Sequence, residues 1–141
     1  MNTALPYIDC YLVPVPRANR AAYEALARLS AAVVKEHGAL RVLECWADEA
    51  GPQADSYHAE AVRQDAADYG DFRQAAGAAA DETVVLSFVE WPDKATRDAG
   101  MAKVTADPRM LFAELPPVFD GRRLIAGGFL PMPLDSAADQ T

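Results

Sequence analysis

The chain has 141 residues, of which 51% are hydrophobic and 24% are charged, and its formal net charge at neutral pH is −8. This composition suits one globular domain with an ordinary hydrophobic core, over about residues 1–130. The negative charge argues against nucleic acid and anionic membranes as partners, because both require a basic surface. Without a signal-peptide pattern or a run of about 20 apolar residues, we expect a soluble, cytoplasmic protein.

The first third of the chain predicts a strand, a helix and a second strand. Residues Tyr7 to Val15 are rich in aromatic and β-branched side chains, which favour a strand. Apolar residues then recur every three to four positions from Arg17 to His37, which predicts an amphipathic helix capped by Asn19 and ended by Gly38. Leu40 to Ala47 predicts the second strand.

The middle of the chain begins with a loop, Asp48 to Gly70, about ten residues longer than usual. Within it, the alanine-rich stretch Ser56 to Asp68 predicts a short helix. Asp71 to Ala76 predicts a weak strand. Thr83 to Trp91 is almost entirely apolar and predicts a strong strand that is covered on both faces.

The last third predicts a helix from Pro92 to about Thr105, a further turn at Leu111–Leu115 and a final strand at Arg123–Phe129. An Asp-Gly turn at Asp120 precedes that strand. The tail over 131–141 is polar and proline-containing, and we expect it to be flexible.

The resulting β-α-β-β-α-β order predicts a ferredoxin-like split β-α-β fold of the α+β class, with an antiparallel sheet in strand order 4-1-3-2. Both strong strands alternate between two mostly apolar faces, of which only one can lie under the helices. An apolar face of that size marks an interface, so we expect a second copy to cover the other face and form a dimeric α+β barrel.

Several short motifs carry a family resemblance. They are Tyr7-Ile8-Asp9, Val13-Pro14-Val15-Pro16, Lys35-Glu36-His37-Gly38, Glu44-Cys45-Trp46, Asp71-Phe72-Arg73, Glu82-Thr83-Val84-Val85, Arg97-Asp98-Ala99, Ala106-Asp107-Pro108-Arg109-Met110 and Phe119-Asp120-Gly121-Arg122-Arg123. Over roughly 7–129 the chain resembles the YbaA-like family of small bacterial proteins, catalogued as domain-of-unknown-function family 1428. The resemblance implies a dimeric ferredoxin-like barrel, a fold shared with small monooxygenases, haem-degrading enzymes and stress-responsive proteins, and it implies no particular activity.

Asp9 is the first candidate catalytic residue, because it lies in mid-strand on the same face as Tyr7 and Tyr11. Polar side chains that point into an apolar space are candidates for catalysis, and in this hypothesis Asp9 is the base. The alternative is a structural ion pair with an arginine such as Arg73 or Arg123.

Glu44 is the second candidate base, because it shares one face of a strand with Trp46. In the alternative, Trp46 packs in the core or at a dimer contact, and Glu44 bonds to a backbone donor or an arginine. Cys45 is expected to point the other way, toward the helices. Together with Cys10 it matches no metal spacing, and we expect two buried free thiols.

A predicted ligand pocket combines aromatic side chains with two arginines that stabilise negative charge. Its members are Tyr11, Trp46, Arg73, Phe88, Trp91, Arg123 and Phe129. His37 is expected to interact with the end of its helix, and His58 has no spaced partner, so no metal site is expected. Gly127-Gly128 allows either the close approach of a ligand or, as we expect, a strand bulge.

Two functions remain open at this point. The first is a small-molecule-binding or stress-related homodimeric barrel without catalysis. The second is a cofactor-independent monooxygenase, isomerase or lyase that acts on a small apolar organic molecule. Neither requires a cofactor, and the sequence carries no phosphate loop or dinucleotide fingerprint.

Overall fold

The computed structural model of the protein describes residues 5–111 and 117–134. The elements in chain order are β1 (Tyr7–Pro16), α1 (Arg20–Glu36), β2 (Arg41–Trp46), α2 (Phe72–Ala76), β3 (Glu82–Trp91), α3 (Lys94–Ala106) and β4 (Ile125–Phe129). In these two ranges, no helix has the length and apolarity needed to cross a membrane. The expected turn at Leu111–Leu115 and the expected flexible tail lie mostly outside the described residues.

The four strands form one antiparallel sheet in the order β2-β3-β1-β4. This confirms the α+β class and the expected strand order. β1 and β3 lie in the centre and pair along ten residues each, from Tyr7 opposite Trp91 to Pro16 opposite Glu82. Their valines are almost fully buried, as the nearly continuous apolar run of β3 predicts.

Helices α1 and α3 pack against the same part of the sheet. Val33 and Val34 of α1 and Val104 of α3 form one buried cluster with Val89 and Trp91 of β3. A second cluster joins α1 to the centre of the sheet through Tyr23, Val13, Val15 and Val85. The apolar stripe of α1 therefore covers one sheet face, as its spacing predicts.

The ends of helices α1 and α3 show which of the capping residues form the expected contacts. α1 ends before Gly38, whose φ of +117° is in the range that favours glycine, as predicted. Asn19 does not cap α1 through its side chain, and its amide nitrogen instead donates to the carbonyl of Val118 at 2.9 Å. Asp93 caps α3 by accepting from the backbone N–H of Thr96.

The predicted weak strand at Asp71–Ala76 is wrong, because these residues form the short helix α2. Asp71 accepts hydrogen bonds from two backbone N–H groups of its first turn, and Gly77 ends it in the left-handed conformation with φ +69°. Ala76 packs with Leu12 and Val84 on the sheet face opposite α1 and α3. α2 thus covers one end of the face that the sequence analysis assigns to a second copy.

The predicted helix at Ser56–Asp68 is also wrong. The segment contains three isolated 3₁₀ turns, at Ala54–Ser56, Glu60–Val62 and Ala66–Asp68. Its side chains are almost all exposed, so no apolar stripe is available to stabilise a helix by packing.

Gly128 in β4 serves the packing of Tyr7. A Cβ atom on Gly128 would lie 1.7 Å from the Tyr7 hydroxyl, so only glycine allows that ring to cross the strand. The pairing of β1 with β4 runs without a break from Ile8–Phe129 to Leu12–Ile125, so the expected bulge is absent from this ladder.

Candidate functional site

Asp9 is held in a buried ion pair. It lies in mid-strand on β1 and is 4% exposed. Its Oδ2 accepts hydrogen bonds from the Trp91 indole nitrogen and from Nε of Arg97, both at 3.0 Å. The arginine that pairs with Asp9 is therefore Arg97 of α3, and neither of the two arginines suggested by the sequence.

The surroundings of Asp9 favour the charged pair. Hydrogen bonding to Asp9 raises the pKa of the Arg97 guanidinium further above its usual range. Burial first, and then the Asp9 carboxylate, raise the pKa of the neighbouring Tyr11. Tyr11 therefore keeps its proton at neutral pH, and two internal donors hold the Asp9 carboxylate in place.

Glu44 lies at a separate pocket between α1 and β2. Its Oε1 accepts hydrogen bonds from the hydroxyls of Tyr23 at 2.8 Å and Ser87 at 2.6 Å. The pocket has a volume of about 270 Å³. Burial, followed by the charge of Glu44, raises the pKa of Tyr23, so its hydroxyl remains a donor.

Trp46 packs against the first turns of α1. Its indole nitrogen donates to Oε2 of Glu24 at 2.8 Å, and the guanidinium of Arg20 lies 4.7 Å from its ring centre. The ring of Tyr23 meets it edge-on at 5.4 Å. Trp46 therefore belongs to the helix-covered face, together with Glu44.

Strand alternation places Cys45 on the opposite, uncovered face, where it is exposed, so the expectation that it is buried toward the helices is wrong. Cys10 lies on the same uncovered face and is partly buried. Burial raises the pKa of the Cys10 thiol, which lowers its reactivity at neutral pH. Both cysteines are free thiols, as expected.

Arg73 and Arg123 hold the turn between α2 and β3. Arg123 forms a bidentate pair with both carboxylate oxygens of Glu82, at 2.8 and 2.9 Å, and also donates to the Gly77 carbonyl. Arg73 donates to the carbonyls of Ala79 and Glu82, at 2.8 and 2.6 Å. Hydrogen bonds from Arg123 are the main reason that the pKa of Glu82 lies below its usual range.

These two arginines are distant from Asp9. Val89 is opposite Asp9 in the sheet, and Glu82 lies seven residues away along the same strand, which corresponds to about 23 Å. The structure therefore does not bring Arg73 and Arg123 to Asp9.

An open apolar groove follows the face of the sheet that α1 and α3 leave uncovered. Its volume is about 510 Å³. The residues that line it are Ile8, Cys10, Arg41, Leu43, Phe88, Glu90, Phe129, Leu130 and Pro131. Arg41 and Glu90 lie 3.4 Å apart, so the charges in the lining compensate each other.

The predicted pocket residues thus lie in four places. Tyr11 and Trp91 are beside Asp9, Trp46 is beside Glu44, Phe88 and Phe129 line the groove, and the two arginines hold the turn before β3. The sheet separates the first two groups from the groove. Tyr23 and Ser87 are partners of Glu44 that were not predicted, although the face alternation of β3 places Ser87 in a row of helix-facing residues.

His37 belongs to a cluster at the end of α1. Its Nε2 is buried, has no hydrogen-bond partner among the described residues, and lies 3.5 Å from Oδ2 of Asp107. Glu36, His37 and Asp107 lie within metal-binding reach of each other. Arg109 bonds to both carboxylates and lowers the pKa of Asp107, so its guanidinium already occupies oxygens of both and offsets one of their two negative charges.

Comparison with known proteins identifies the relatives of this chain. Residues 6–121 match the family model described as "Protein of unknown function (DUF1428)". The proteins named "Uncharacterized protein YbaA" from Escherichia coli strain K12 and from Shigella flexneri are each 40% identical to it over 126 residues. These matches cover 89% of this chain and 95% of each relative.

Proposed function

Because the chain belongs to the DUF1428 family, which includes YbaA, we propose its function from its geometry: a non-catalytic homodimer that binds a small apolar molecule. In this proposal the sheet and its helices are a ferredoxin-like unit. Two such units pack their uncovered sheet faces together around a two-fold axis as a dimeric α+β barrel, and the ligand lies between the faces.

The observation that carries this proposal is the apolar groove. Phe129 and Leu130 line it and are 58% and 62% exposed. Ile125, two alternations before Phe129 on the same face of β4, is outside the groove lining and is 49% exposed. Apolar side chains exposed next to each other along a sheet face favour contact with another apolar surface. A second copy offers the same surface, and the self-complementary contact closes as a dimer.

The chemistry of the groove supports binding more than catalysis. The carboxylate in its lining, Glu90, is paired with Arg41, and the Cys10 thiol has a raised pKa. Asp9 and Glu44 lie on the other side of the sheet. The enzymatic alternative therefore lacks an available base in the groove, and the catalytic roles of these two residues stay predictions.

Sedimentation velocity tests the dimer. We expect the native protein to sediment at about twice the 15.2 kDa mass of the chain. Phe129→Arg places a charge on the groove and is expected to give a monomer. Leu111→Arg is the matched control, because Leu111 is similarly exposed, at 64%, and is not among the residues that line the groove. A native monomer, or a dimer that withstands Phe129→Arg, contradicts the proposal.

Binding of N-phenyl-1-naphthylamine, a neutral apolar fluorophore, tests the ligand site. We expect its fluorescence to increase with the native protein and with Leu111→Arg, and to remain low with Phe129→Arg. A native dimer that does not bind the fluorophore would show that the second copy fills the groove, and the protein would then be a scaffold without this binding site.

A further inference from the structure

The pocket between α1 and β2 has the composition of a second, different binding site. It lies on the helix-covered side of the sheet. Its apolar lining comes from Ala27, Ala31, Val42, Trp46 and Val85, and its charged lining comes from Glu24, Arg28 and Glu44. A pocket that combines apolar surface with a few charged groups is typical of a small-molecule site.

Glu44 provides a fixed negative charge in this pocket. Both hydroxyls that bond to it, those of Tyr23 and Ser87, use the same oxygen, Oε1. In the described part of the chain, no donor bonds to Oε2. A carboxylate accepts about four hydrogen bonds, so Oε2 remains available to a donor from outside the protein.

Arg28 provides the opposite charge. It lies one helical turn after Glu24 on α1 and lines the same pocket. Among the described arginines, only Arg28 and Arg63 form no ion pair or side-chain hydrogen bond. By contrast, Glu24 is engaged by the Trp46 indole and by Arg20.

The two available charges do not pair with each other, and this defines the ligand that fits. A ligand with a single charge would form a charge-assisted hydrogen bond with only one of these two groups, whereas a ligand with both charges would gain from both. We propose that this pocket binds a small zwitterion of the amino-acid type, with its ammonium group at Glu44, its carboxylate at Arg28 and its carbon chain on the apolar lining. This site does not depend on the dimer.

Isothermal titration calorimetry with 4-aminobutanoate tests the proposal, with butylamine and butanoate as single-charge probes. We expect 4-aminobutanoate to bind at least about tenfold more tightly than either probe, since each charge-assisted hydrogen bond contributes roughly that factor. Glu44→Gln and Arg28→Gln should each weaken binding about tenfold. Ala31→Leu should abolish it, because the larger side chain fills the pocket.

Matched controls separate the pocket from general charge effects. Glu60→Gln and Arg63→Gln make the same changes at exposed positions outside the pocket, and we expect them to leave binding unchanged. Glu44→Gln retains an oxygen that accepts from the two hydroxyls, and thermal unfolding verifies its fold. The proposal is overturned if 4-aminobutanoate does not bind, if a single-charge probe binds as tightly, or if the pocket variants bind like their controls.

Discussion

Removal of the Asp9 carboxylate should destabilise the protein strongly. Asp9→Ala leaves the Trp91 indole N–H and the Arg97 guanidinium without their shared acceptor. Breaking a buried ion pair costs about 3–5 kcal/mol. The Arg97 side chain is 31% exposed, so water solvates part of its charge and reduces this cost. The unpaired indole adds about 1 kcal/mol. We therefore expect the free energy of unfolding to fall by about 3–4 kcal/mol.

Urea unfolding followed by tryptophan fluorescence, at a fixed protein concentration, measures this change. Asp9→Asn retains one acceptor oxygen and should lose about half as much stability. In an Arg97→Met background, Asp9→Ala should cost less than it does alone, because the arginine that it leaves unpaired is gone. Asp98→Ala removes an exposed partner of Arg97 and should have little effect. A loss below about 1 kcal/mol for Asp9→Ala would refute the buried pair.

Two further substitutions test the packing and the electrostatics. Gly100→Ala should lower the free energy of unfolding by about 2 kcal/mol, because its Cβ would lie 2.4 Å from the carbonyl oxygen of His37 and 2.7 Å from the Trp91 ring. Chemical denaturation measures this loss. Gly70→Ala is the control, because a Cβ added at Gly70 would meet no other part of the described structure within 4 Å. Glu82 has a lowered pKa in the folded state, so its stabilisation is complete above the ordinary glutamate pKa of about 4.3 and is lost as the pH falls below it. Glu82→Gln should therefore destabilise the protein at pH 7 and make its free energy of unfolding less dependent on pH in the acid range. Equal plots of unfolding free energy against pH for the native protein and the variant would contradict this.

The strong periodic segments were predictable from the sequence. β1 and β3 appear within one residue of their predicted bounds, and α1 appears within three. The short helix α2 stands where the sequence predicts a weak strand, although the sequence also carries signals for both ends of the helix. Asp71 is a good N-cap residue and Gly77 is a good terminating residue. A helix of five residues is too short for its hydrophobic periodicity to be told apart from that of a strand. Only the packing of the segment distinguishes a helix from a strand here.

The site was less predictable than the fold, because its contacts join distant parts of the chain. Asp9 is recognisable as a buried carboxylate in need of a partner, but the two arginines that the sequence suggests, Arg73 and Arg123, are not that partner. Arg97 is 88 residues away along the chain and reaches Asp9 from α3. The sheet then separates aromatic residues that a linear reading places in one pocket. Alternation predicts the two faces, but it does not say which of them α1 covers.

The position of β1 in the sheet affects how the chain folds during synthesis. Of the four described strands, β1 is made first, yet both of its neighbours, β3 and β4, lie more than sixty residues further along the chain. At about 5–20 residues per second, a ribosome needs several seconds to produce them. During that time β1 has neither of its neighbours to pair with, so the sheet can close only after β3 and then β4 have been made.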